Sequence, residues 1–78
     1  MKSDLVDLTM VLHAETERAV RVSDTGEDAR AVWLPKSQIE IEHTGQEATG
    51  ENRGRQLSRL PVVTVTLPEW LAIDKGLA

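Results

Sequence analysis

Leu5-Val6-Asp7-Leu8-Thr9-Met10-Val11-Leu12-His13-Ala14 decides the fold class of this chain. Val6, Leu8, Met10, Leu12 and Ala14 fall on one side of an extended backbone. Asp7, Thr9 and His13 fall on the other, with Leu5 and Val11 as apolar exceptions. A period of two over this length predicts a half-buried strand. Glu15 to Arg18 is polar and reads as a turn. Ala19 to Ser23 resumes the alternation with Val20 and Val22 inward, so the chain opens with a hairpin.

The same pattern recurs downstream. Asp24-Thr25-Gly26-Glu27-Asp28 has the residues of a tight reversal, with Asp for side-chain-to-backbone bonds and Gly for positive φ. A cation loop is the alternative, but the spacing of Asp24, Glu27 and Asp28 does not fit the calcium-loop pattern. Arg30 to Leu34 reads as a third strand. Pro35 ends it or holds it at a sheet edge, because proline cannot donate to a ladder. One helical turn fits around Pro35 to Ser37. Gln38 to Glu42 then alternates, with Ile39 and Ile41 inward. Residues 44–59 contain three glycines and little to bury, and read as a long, flexible, exposed loop. Leu60 to Leu67 is a fifth strand, with Val63, Val65 and Leu67 on one face.

The chain ends in helix signals. Pro68 suits a first helical position, and Glu69 suits the positive end of the helix dipole. Trp70, Leu71 and Ile73 are expected to pack on the body. Gly76 is placed to stop the helix, with Leu77 as the apolar residue that follows such a stop. The expectation is a single domain over 1–78: mainly β, a small five-stranded antiparallel barrel of SH3-like or OB-like form, or a curved sheet, with a short C-terminal helix.

Composition narrows the function. The 78 residues hold two Trp, no Phe, no Tyr and no Cys. The core must be aliphatic, and neither a disulfide framework nor a thiolate metal site can be built. The lack of disulfides in so small a domain favours a cytoplasmic setting. No apolar run approaches a membrane span. The net charge of −4 argues against general binding of polyanions. Thirteen acids are too dilute to favour a nucleic-acid mimic.

Two stretches carry a resemblance. Ala31-Val32-Trp33-Leu34-Pro35-Lys36-Ser37-Gln38-Ile39-Glu40 follows the Asp-Gly turn, and Thr66-Leu67-Pro68-Glu69-Trp70-Leu71-Ala72 runs into Lys75-Gly76-Leu77. The pair resembles a group of small phage and prophage proteins, over roughly the C-terminal two-thirds of the chain. The resemblance implies an accessory role, in a host cytoplasm, and supplies no activity, cofactor or site.

Residues of catalytic type are scattered. His13 and His43 stand alone in sequence and read as surface residues, and Ser37 lacks a neighbouring base. No enzyme, metal or cofactor is expected. Trp33 is either a core anchor or, if exposed, the centre of a protein-binding patch rimmed by Lys36 and Gln38. Arg53, Arg55 and Arg59 form the one basic cluster. They are either solvated loop charge or, in a second reading, phosphate contacts of a nucleic-acid-binding barrel. No aromatic side chain accompanies them for base stacking. A third reading is a structural subunit that self-associates through an exposed strand edge.

Overall fold

The computed structural model describes residues 4–52 and 56–77. Five antiparallel strands form one sheet: β1 (Leu5–Glu15), β2 (Ala19–Ser23), β3 (Val32–Pro35), β4 (Glu40–Asn52) and β5 (Gln56–Pro68), in the order β3-β2-β1-β5-β4. A six-residue helix, α1 (Glu69–Asp74), closes the chain. One 3-10 turn precedes β3 at Asp28–Arg30, and another follows it at Lys36–Gln38. The turn expected around Pro35 to Ser37 therefore forms one residue later.

The alternation read from the sequence places the core. Met10, Leu12, Val20, Val22, Leu34, Val63, Val65 and Leu67 meet on one face, with Val6, Leu8, Ile39 and Ile41 packed against them. Full burial of such a side chain is worth about 1.5–3 kcal/mol. Leu71 and Ala72 of α1 complete this layer. The sheet is open, with β3 and β4 as its outer strands and no ladder between them among the described residues. Closure into a barrel, the first of the two expected forms, is not made.

Residues 44–52 and 56–59 are not the loop that their composition predicts. They extend β4 and β5 into a hairpin whose pairs run from Glu47↔Pro61 to Asn52↔Gln56. The ladder satisfies the backbone although the side chains have little to bury. Between His43 and Glu47 the register shifts. Gly45 takes a φ of 85° there, and Thr44 Oγ1 donates to the Val62 carbonyl at 2.9 Å. Thirteen extended residues span about 40 Å, in keeping with the 44 Å long axis of the molecule. Residues 53–55, with Arg53 and Arg55, lie outside the described residues.

The helix differs from expectation in its start and its packing face. Pro68 is the N-cap residue, with φ −62° and ψ 142°, one position before the helix proper. The Glu69 N–H donates to the Asp4 carbonyl at 2.7 Å. Trp70 and Ile73, each 58% exposed, point away from the body, while Leu71 and Ala72 are buried. At 100° per residue, positions 70 and 73 share the face opposite to the 71–72 pair. The stop forms as expected. Gly76 has φ 74°, its N–H bonds to the Ile73 carbonyl at 3.0 Å, and the Leu77 N–H bonds to the Ala72 carbonyl at 2.7 Å. These are the two bonds of a Schellman motif.

Candidate functional site

Three places carry polar or aromatic groups of interest. The first is buried. The pairing of β1 with β2 slips by one residue between Leu12 and Ala14, which makes His13 the extra residue of a bulge. His13 is 7% exposed and Ser23 is fully buried, so the surface position expected for His13 is wrong. The reason is tertiary. Residues 24–28 leave β2 and cross to the far end of β4, covering this part of what would otherwise be the polar face of β1.

One residue of β4 makes that crossing hold. The Glu51 N–H donates to the Gly26 carbonyl at 2.7 Å. Its side-chain Oε1 accepts from the Asp28 N–H at 3.1 Å, and its carbonyl lies 2.7 Å from His13 Nδ1. A carbonyl only accepts, so Nδ1 carries the hydrogen. Nε2 lies 2.7 Å from Ser23 Oγ, to which it is hydrogen-bonded, and Ser23 Oγ accepts the Gly26 N–H at 2.8 Å. Every member of the network is satisfied. Where β3 and β4 share no ladder, this clasp draws the two halves of the sheet together.

A serine beside a histidine whose other nitrogen is oriented has the layout of a nucleophile and its base. Here Ser23 is fully buried and its oxygen already accepts a backbone N–H. The pair as folded is a packing tie.

The second place is the Trp33 face. β3 is an outer strand, and Trp33 is 45% exposed on it. Its partner across the ladder is Arg21, and facing residues of an antiparallel pair share a side of the sheet. The Arg21 guanidinium binds the Asp28 carboxylate, and its Nη2 donates to the Asp28 carbonyl at 2.8 Å. That partner holds the Asp28 carboxyl below its ordinary pKa of 3.8. Trp33 thus stands beside an anchored ion pair that sequence reading did not connect with it. Lys36 lies in the 3-10 turn beyond Pro35. Its N–H donates to the Arg18 carbonyl at 2.8 Å, and its ammonium reaches Glu15 Oε2 at 2.6 Å. The ammonium keeps the Glu15 carboxyl below its usual value of 4.5. Gln38 ends the same turn and is exposed. No hydrogen bond or ion pair joins Trp33 to Lys36 or Gln38 among the described residues.

The third place is the outer hairpin. Arg59 is exposed, and its Nε donates to Glu47 Oε1 at 3.0 Å. Of the three arginines of the basic cluster, the one described is already paired. His43 is exposed, as expected, and Ser37 is an exposed turn residue. No group of three or more His, Cys, Asp or Glu able to hold a metal occurs among the described residues. No helix among them is long and apolar enough to cross a membrane.

No protein-family model, curated protein or solved structure matches the chain.

Proposed function

We propose that this is a non-catalytic accessory module that acts by binding another protein, and that Trp33 is the anchor of that contact. The exposure of Trp33 on an outer strand carries the reading. Both tryptophans are left in solvent, and Trp33 differs from Trp70 in standing on an outer strand of the sheet across from Arg21. Tryptophan is also among the residues in which binding energy concentrates. The Arg21–Asp28 pair beside it is held by several bonds, so the surroundings are ordered before a partner arrives, which limits the entropy lost on binding. The phage-protein resemblance supports an accessory role in a host cytoplasm, with a host protein as the target.

Affinity capture with the wild-type chain, Trp33→Ala and Trp70→Ala tests this. The expected result is a specific protein recovered by the wild type and by Trp70→Ala and lost with Trp33→Ala. Equal recovery by all three removes Trp33 from the contact, and no specific recovery removes the reading.

A further inference from the structure

We propose that the outer edge of β4 at Ile41–His43 is a strand-addition site, and that its occupant is an extended segment of a partner protein in which basic and apolar residues alternate. The inference rests on the protein-binding reading but uses the outer strand at the opposite end of the sheet from Trp33.

The backbone directions follow from two observations. The Val62 carbonyl accepts from Thr44 Oγ1, so it faces β4. Alternation along β5 then turns the backbones of Thr64 and Thr66 toward β4 as well. Their partners Glu42 and Glu40 spend their N–H and C=O groups on β5. Ile41 and His43, between and beyond them, direct theirs outward. The Glu51 backbone, which bonds Gly26 and His13 instead of β5, has the same parity and confirms the direction. At Glu51 the outward groups are taken by the clasp. At Ile41 and His43 no backbone partner is present among the described residues. Unpaired edge groups of this kind are a template for an added strand.

The side chains set what can be added. Toward the core side, Ile39, Ile41 and His43 border an open groove of 340 Å³ whose far wall is Glu15 and Lys36. An apolar side chain of the added strand lies over the isoleucines there. On the other side Glu40 and Glu42 are exposed and form no salt bridge among the described residues. Lys36 is spent on Glu15, and Arg59 on Glu47. Two unmatched carboxylates at alternate positions select basic residues at alternate positions of the partner. The same carboxylates reject a second copy, because antiparallel pairing of two β4 edges sets Glu40 and Glu42 against their equivalents. β3 offers no comparable edge: it is four residues long and ends in Pro35.

Selection from a displayed library of random short peptides on the full chain tests the proposal. The amide shifts caused by an enriched peptide then locate its site. The expected peptides alternate Lys or Arg with aliphatic residues and move the Ile41 and His43 amides. They lose binding when alternate peptide nitrogens are methylated, and they bind Glu40→Lys/Glu42→Lys weaker by about tenfold or more. Enriched peptides that move Trp33 and Arg21 instead overturn the strand-addition site and leave the Trp33 reading standing. Absence of any enriched peptide overturns the site, while affinity capture still decides the Trp33 reading. A dimer dispersed by Glu40→Lys/Glu42→Lys overturns the assigned occupant.

Discussion

Ser23 shows how much a single hydroxyl can hold. It accepts the Gly26 N–H and is hydrogen-bonded to His13 Nε2. Ser23→Ala leaves two buried polar groups unpaired. It should lower unfolding stability by about 1–3 kcal/mol, measured by urea denaturation. A change below a few tenths would mean that the network does not form. Gly50 is a steric case. A Cβ there would sit 2.9 Å from Leu60 Cδ1 and 3.2 Å from the Gly26 carbonyl. Gly50→Ala should therefore push the clasp apart at a cost of about 1–3 kcal/mol, visible as loss of amide protection at Glu51. Charge enters at Asp28. Arg21 lowers its folded pKa below the ordinary 3.8, so the stability it contributes is present above that value. It is lost as pH falls through the folded pKa. Asp28→Asn should flatten the decline in stability below about pH 4, followed by urea midpoints at stepped pH.

At the scale of elements, α1 is a short plug with an unusually well-defined end. Leu71→Ala empties a nearly buried site between the helix and the sheet and should cost about 2–5 kcal/mol. Gly76→Ala meets no neighbour within 4 Å, so its cost of about 1–2 kcal/mol is the left-handed backbone alone. A larger loss in thermal melts would mean that Gly76 packs against something. The strands of the core were legible in the sequence because period-two alternation survives wherever one face is buried, as in Val63-Val65-Leu67. The outer half of the β4–β5 hairpin was not. It has few apolar residues and no apolar period to mark it, and the backbone ladder makes it a strand. The helix stop was legible because Gly76 has a single stereochemical use there. The helix face was not, since Trp70 and Leu71 are equally apolar in sequence and only the docking angle separates them.

For the whole molecule, the clasp and the open sheet belong together. Five strands curl until β1 and β4 approach, yet the outer strands do not pair, and Glu51 supplies the cross-connection that a closed ladder would have made. His13 looks like a surface residue in the sequence because the crossing by residues 24–28 is a long-range event with no local signature. Trp33 is recognisable in the sequence as a residue whose exposure matters, whereas Arg21 and Asp28 have no sequence link to it, since they meet it only through the β2–β3 pairing. The molecule that results keeps His13 and Ser23 buried and presents Trp33 at one outer strand and Trp70 on the outer face of α1. Site-specific photo-crosslinking in cells that express the protein tests that arrangement most directly, with a photoreactive aromatic residue placed at position 33 or at position 70. A discrete adduct with one protein is expected from position 33 and none from position 70. No adduct from position 33, or the same adduct from both positions, would contradict it.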